Sequence, residues 1–403
     1  MRRSSYRRAG MASVAIAAAV ALAGCGSSSS GKSKSTTTTG GSTNVSITVT
    51  SFTSDFSAMA KLKALAAKGK GKVAVLLPDT QSSQRYVQYD APFLTRAFQA
   101  VGLSAGDFQV QNAQGSPSTM QTQADAAITN GASVLLVDPL DSGSGAAIER
   151  DAASKGVKTI DYDRLTLNGS ASYYVSFDNV NVGKLIGQGF VDCVTAWNVQ
   201  KPQVLVMDGD PTDNNASLFS QGYHSVLDPK FADGSYTKVA EPAGTWDNQK
   251  ALTIFQQQYA AHNNINAVVA PNDGVGNAVI SGLKTLSIPA KKVPVTGQDA
   301  TTQGLQNILA NYQCMTVYKP IYVEAQAAVA LAMYLRAGAT PPSGLVNGSS
   351  DAKTKQVPSS LLVPISVNAS NMNATVVKDQ FVKASDLCTS ALASACTAAG
   401  IQP

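Results

Sequence analysis

The segment Lys158-Thr-Ile-Asp-Tyr-Asp-Arg164 ends an apolar, strand-like run by setting a carboxylate beside a guanidinium. At the carboxyl end of a parallel strand, such a pair faces the crevice where open α/β folds bind ligands. Asp163 accepts hydrogen bonds from hydroxyls, and the planar fork of Arg164 donates to two neighbouring oxygens at once. A surface ion pair at a strand end uses the same residues, so the pair alone leaves binding and structure equally open.

Comparable polar clusters recur at Pro78-Asp79 with Arg85, Asp213-Asn-Asn215, Asn272-Asp273 and Gln298-Asp299. Each by itself is ordinary turn chemistry. What they share is that each follows a short β-rich run. One series of runs covers residues 72–77, 108–112, 134–137, 157–162 and 173–177, with amphipathic stretches such as 120–129 and 146–155 between them. A second series covers 203–207, 237–241, 267–270, 293–297 and 315–318. This alternation is the βαβ grammar of parallel sheets flanked by helices. Two series imply two lobes, and clusters at the same end of both sheets imply one shared cleft.

The chain of 403 residues, 44% hydrophobic and 14% charged, has room for two core-bearing domains. Its formal charge of +5 is concentrated at the start: Arg2, Arg3, Arg7 and Arg8 precede an apolar run over residues 11–24. That run is too short for a stable membrane span and reads as a secretory signal over residues 1–24. Without those arginines, 27 basic residues face 26 acidic ones, which gives nucleic-acid binding no support. Leu22-Ala-Gly-Cys25 is similar to the lipobox of bacterial lipoproteins, which implies that Cys25 is lipidated and becomes the first mature residue. Residues 26–44, almost wholly Gly, Ser, Thr and Lys, then form a tether with a reach of roughly 25 Å. An extension over residues 45–70 follows, with a β-type run at 46–50, a helix-like run at 58–67 and no functional reading.

Cys193, Cys314, Cys388 and Cys396 remain, an even number at an extracytoplasmic address, and four cysteines allow three connectivities. Cys388 with Cys396, close in sequence, is favoured, and by default Cys193 with Cys314; buried free thiols are the alternative. The cysteine spacings fit no zinc pattern and His224 and His262 are the only histidines, so no metal is expected. Gly274-Val-Gly276 is too short for a dinucleotide site, and no cofactor is expected.

The series Tyr162-Asp-Arg164, Ser176-Phe-Asp-Asn179, Pro211-Thr-Asp-Asn-Asn-Ala216, Pro271-Asn-Asp273, Gly297-Gln-Asp-Ala300 and Thr316-Val-Tyr-Lys-Pro320 resembles the D-xylose-binding proteins of bacterial ABC importers, type I periplasmic sugar-binding proteins. The resemblance spans about residues 72–387. It implies an α/β fold of two Rossmann-like lobes joined by three hinge crossovers. One lobe would hold residues 71–177 and 319–357, and the other 178–318 and 358–403. Crossovers would fall at Phe177-Asp178, at Tyr318-Lys319 and just before residues 361–367. Motif by motif, it implies sugar contacts from Arg85, Tyr86, Asp163 and Arg164 on one lobe and Asn215, Trp246, Asn272 and Asp299 on the other, with Lys319 at the hinge. Tyr86 stands where the xylose binders are expected to carry a tryptophan, a smaller ring with an added hydroxyl. Asp213 and Asn214 are expected to orient Asn215 or cap the next helix.

The resemblance also implies a lipid-anchored monomer that binds a monosaccharide, delivers it to ABC permease subunits and catalyses nothing. Two other function classes stay open here. A receptor-read sugar sensor would have the same sequence features. A glycosidase using Asp163 and Asp299 is opposed by the flanking arginines, because a general acid needs a raised pKa and a nearby cation lowers it.

Overall fold

The computed structural model describes residues 46–402; the signal segment, Cys25 and the tether lie outside the described residues. Two sheets organise the rest. The first contains β1 (Lys72–Leu77), β2 (Phe108–Asn112), β3 (Ala132–Val137), β4 (Lys158–Tyr162) and β5 (Tyr173–Phe177). The second contains β6 (Gln203–Val206), β7 (Thr237–Ala240), β8 (Ala267–Val269) and, one segment further on, β9 (Thr316–Tyr318). Late in the chain come β10 (Gly348–Asp351), β11 (Gln356–Leu362) and β12 (Ile365–Val367).

The first sheet has the order β10-β11-β5-β4-β3-β1-β2 and is parallel except for the β10–β11 hairpin. Its central strands β1 and β3 are apolar on both faces because helices cover both. Val73, Val75 and Leu77 of β1 point into the core under helices Ala91–Ala100 and Ile321–Arg336. Ala74 and Leu76 point the other way, under Pro117–Thr129 and Ser142–Ser154. In the second sheet Val204 and Val206 face one core while Leu205 faces the other.

The strand expected over 293–297 forms a single bridge, Val268 to Val295. It still joins the sheet, since Val268 N donates to Pro294 O at 2.9 Å and Val317 N to Gly297 O at 3.1 Å. The second sheet thus runs β7-β6-β8, this extended segment, β9 and antiparallel β12.

Two expectations are corrected. Residues 46–50 form no strand. Thr48 N donates to Ser51 Oγ at 3.1 Å and Val49–Ser51 closes into a 3₁₀ turn, because this segment meets no open sheet edge. The extension is nonetheless integral to the first lobe: Ile47, Phe52, Phe56, Met59, Leu62 and Leu65 are buried in its core. The lobe boundary expected at residues 357/358 falls inside β11, which pairs in parallel with β5. The third crossing therefore lies at Val363-Pro364, between β11 in the first sheet and β12 in the second. Phe177 and Asp178 form the first crossing, and Asp178 N donates to Leu362 O at 2.9 Å, tying it to the third. Tyr318 and Lys319 form the second, with the Tyr318 hydroxyl on Asp379 at 3.2 Å.

Cys193 and Cys314 lie at disulfide distance, Sγ–Sγ 2.02 Å, as do Cys388 and Cys396 at 1.99 Å. The residues after β12 pack on the second lobe and reach across to the first, where Phe381 stacks on Tyr89 with ring centroids 3.8 Å apart.

Candidate functional site

The strands of both sheets end at one cavity lined by Ser82, Ser83, Arg85, Tyr86, Asp163 and Arg164 of the first lobe. Asp213, Asn215, Phe219, Trp246, Asn272, Gln298 and Asp299 line it from the second, with Lys319 between. All nine residues expected to hold a sugar are brought together here. Their individual geometry differs from the expectation in instructive ways.

Asp163 follows β4 in a left-handed conformation, φ 58°, which turns its carboxylate off the sheet into the cavity. Its backbone N–H still donates to β5 at Val175 O, 2.9 Å. Its carbonyl accepts from Tyr174 OH at 3.0 Å, Ser176 Oγ at 2.7 Å and, across the cleft, Asn215 Nδ2 at 3.0 Å. Asp299 mirrors it on the second lobe: φ is 99°, and its N–H donates to β9 at Val317 O, 2.9 Å. Lys319 Nζ stands between the two carboxylates, 3.6 Å from Asp163 and 3.3 Å from Asp299.

Arg85, expected as a sugar donor, mostly holds protein. It donates to Asp90 through Nε (2.8 Å) and Nη2 (2.7 Å), to Asp163 through Nη1 (2.7 Å) and to Glu324 through Nη2 (2.6 Å). Of five N–H groups, one on Nη1 remains for a ligand. The Tyr86 hydroxyl, the feature that sets this chain apart, donates to Asp163 Oδ2 at 3.1 Å and accepts from Arg164 Nη2 at 3.0 Å. Arg164 Nε lies 3.3 Å from Asp213 and 3.5 Å from Asp138.

The amides work both within the second lobe and across the cleft. Asn215 Oδ1 accepts from Asn179 Nδ2 at 2.9 Å. Asn272 caps helix Asp273–Thr285 through Oδ1 (Val275 N, 2.8 Å) while its Nδ2 donates to Ser82 O at 3.2 Å. Ser83 Oγ donates to Asp299 Oδ2 at 2.6 Å and Asn248 Nδ2 to Gln81 O at 3.0 Å, so the lobes meet in a closed arrangement. Trp246, half-buried, donates from Nε1 to Asp213 Oδ2 at 3.0 Å. Its ring lies so close to Gly209 that a Cβ there would fall 2.3 Å from it. Asp213 has the orienting role expected of it, accepting from Asn215 N at 2.9 Å, and lines the cavity as well.

Sequence reasoning missed Ser82, Ser83 and Phe219 on the lining, named Gln298 only as part of a strand-end cluster, and missed Asp90, Asp138 and Glu324 behind it. Glu324 carried a signal: it is a lone acid in the apolar helix Ile321–Arg336, and a buried charge requires a partner. Six carboxyl groups (Asp90, Asp138, Asp163, Asp213, Asp299, Glu324) face three cations (Arg85, Arg164, Lys319). Burial opposes ionisation of Asp163, but Arg85, Lys319 and Arg164 outweigh it and hold the carboxylate well below its ordinary range. Burial raises Asp138 and Asp213 despite Arg164.

Burial also pushes Glu324 from 4.5 up to about 8, against the pull of Arg85 and with Asp163 and Asp90 adding to the rise. The folded state therefore holds this proton more tightly than the unfolded chain. Stability from this group is full below about pH 4.5 and is lost as pH rises through about 8. Glu324→Gln should flatten that decline by on the order of a few kcal/mol, measured by denaturant unfolding at about pH 5 and pH 8.5. An unchanged difference between the two pH values in the variant would contradict the assignment.

Two α/β lobes, three crossings and a buried, charge-lined cavity closed from both sides define a hinged solute-binding protein. The chain belongs to the periplasmic binding protein family: residues 73–340 match the family described as periplasmic binding protein domain. It is similar to the D-xylose-binding periplasmic protein of Escherichia coli (strain K12), 37% identical over 282 residues, covering 69% of this chain and 82% of that protein. It is also similar to the multiple sugar-binding periplasmic receptor of Rhizobium radiobacter, 30% identical over 339 residues, covering 78% and 92%. Among solved structures, a carbohydrate transporter solute-binding protein from Chloroflexus aurantiacus in complex with D-glucose matches with a TM-score of 0.69 and 28% identity, covering 78% of this chain and 97% of that one. These relatives are binding proteins and not enzymes, which removes the glycosidase alternative.

Proposed function

We propose that the protein is an extracytoplasmic, lipid-anchored solute-binding protein that captures a monosaccharide, D-xylose foremost, between its lobes and delivers it to ABC permease subunits. The observation that carries this is the pair Asp163 and Asp299, one per lobe. Both are turned into the cavity by left-handed backbone and linked through Lys319. A ligand whose hydroxyls donate to both carboxylates stabilises the closed state over the open one, which is what hinge closure requires. The surplus of carboxyl groups suits a neutral polyol and opposes sugar phosphates and uronates. The half-buried Trp246 ring offers an apolar face to sugar C–H groups. The names of the relatives supply D-xylose and leave other sugars as neighbours.

Membrane attachment rests on Leu22-Ala-Gly-Cys25. Extracytoplasmic address and permease delivery rest on the family, and monomeric state on the sequence resemblance. The two cysteine pairs at disulfide distance suit an oxidising compartment.

The test is thermal unfolding of the purified protein with D-xylose, D-glucose, D-ribose, L-arabinose and D-galactose. Ligand at a hundredfold excess over its Kd adds about 2.7 kcal/mol, enough to raise Tm by several degrees. A shift with D-xylose supports sugar capture and the choice of sugar. A shift with another sugar alone retains sugar binding and assigns the choice to the Tyr86 position, and no shift with any sugar overturns it. Loss of radiolabelled palmitate incorporation in Cys25→Ser tests the anchor.

A further inference from the structure

Asp299 and Ala300 are consecutive non-glycine residues in the left-handed region, φ 99° and 51°. Such a turn costs free energy and persists only where the surroundings over-determine it. What surrounds it is one carboxylate outside the cavity lining. Asp273, the fully buried first residue of helix Asp273–Thr285, accepts through Oδ2 from Thr301 N at 2.7 Å and Thr301 Oγ1 at 3.0 Å. Through Oδ1 it accepts from Thr316 Oγ1 at 2.8 Å and Gln313 Nε2 at 2.7 Å. Thr316 Oγ1 in turn accepts from Ala300 N at 3.2 Å. Asp273 N donates to Gln298 O at 2.9 Å, so this one residue grips the loop on both sides of Asp299. The loop leaves room for it: a Cβ on Gly297 or Gly304 would fall 2.1 Å or 2.3 Å from the Asp273 carboxylate.

The first lobe uses the same device. Asp161, buried and also off the cavity, accepts from Thr166 N and Thr166 Oγ1, both at 2.8 Å, on the loop that follows Asp163. Asp163 and Asp299 thus each sit on a loop tied down by a second, buried carboxylate gripping a threonine through both its N–H and its hydroxyl.

We infer that Asp273 is a positioning residue that holds Asp299 in its left-handed turn and thereby sets sugar affinity without touching the sugar. The inference rests on the proposed binding of a sugar by Asp299. Asparagine at position 273 keeps the shape but turns an NH₂ group toward donors, leaving the loop partly unheld.

Two arms test it. In the empty protein, Asp273→Asn should speed hydrogen exchange at the Thr301 amide by about tenfold or more, with core strands β6 and β8 still protected. In a double-mutant cycle, Asp273→Asn should weaken D-xylose binding about tenfold in the wild type but less than about twofold on Asp299→Asn, because it acts through Asp299. Thr301→Val, which removes the hydroxyl's bond to Asp273 together with its cap on Gly304 N, repeats both arms at the residue 301 amide should the asparagine variant fail to fold. Unchanged Thr301 exchange, or binding losses that simply add, overturns the positioning role. If the wild type binds no sugar in the panel, the proposed function falls while the exchange arm still decides whether Asp273 holds the loop.

Discussion

Replacing Arg85 with methionine is expected to destabilise the empty protein by about 3–5 kcal/mol, as found when one partner of a buried ion pair is removed. The reason is the number of acids that share this one guanidinium. Asp90, Asp163 and Glu324 all lie within 2.8 Å of it, and all are buried. Methionine approximates the stem but leaves Asp90 with the Tyr162 hydroxyl at 2.5 Å and Glu324 with no cation at all. Adding Glu324→Gln to Arg85→Met should recover part of the loss by removing one unpaired acid. Chemical denaturation of both variants above about pH 8, where Glu324 is ionised, checks this; a single-variant loss below about 1 kcal/mol there would mean that these acids do not depend on Arg85.

The difference between Arg85 as expected and as found shows what a linear sequence can convey. Strand runs were legible because β-rich residues bounded by turn formers carry their signal locally, and β1, β2 and β5 span the residues expected. Positions of cavity-facing groups followed, since the ends of parallel strands converge. The run at 46–50 holds four consecutive β-branched residues yet finds no edge to pair with, and β11 carries Pro358 and three polar residues yet is a strand because β5 lies beside it. Both outcomes are tertiary, and context overrides local propensity.

The layer behind the site was hidden for a related reason. Glu324 meets Arg85 across 239 residues of sequence, and nothing near either residue names the other. The role of Tyr86 was half legible. Sequence shows a smaller ring with a hydroxyl, but only the fold places that hydroxyl between Asp163 and Arg164. There it occupies one acceptor and one donor that a sugar would otherwise meet, which makes it the first position to vary if the preferred sugar is not D-xylose.

Asp163→Asn should lower sugar affinity at least about 100-fold and also destabilise the empty protein at neutral pH, because Arg85, Lys319 and Arg164 stabilise the ionised carboxylate that asparagine lacks. The choice of asparagine follows from the backbone: at φ 58° alanine is strained, whereas asparagine is among the few non-glycine residues that adopt this region readily. An asparagine oxygen can still accept from Arg85 or from the Tyr86 hydroxyl, so the fold has less to lose here than where Arg85 leaves three acids without their shared guanidinium. Binding has more to lose. A charged acceptor contributes about 1.5–3 kcal/mol per hydrogen bond, and two such bonds from a polyol correspond to a factor of roughly 10² or more. The carbonyl of residue 163 keeps its three donors, so the cross-cleft bond from Asn215 survives and closure itself is not disabled. Isothermal titration with the sugar that shifts Tm in the wild type, alongside denaturation of the empty variant, separates the two effects. An affinity within about threefold of wild type would show that the sugar hydroxyls bond elsewhere.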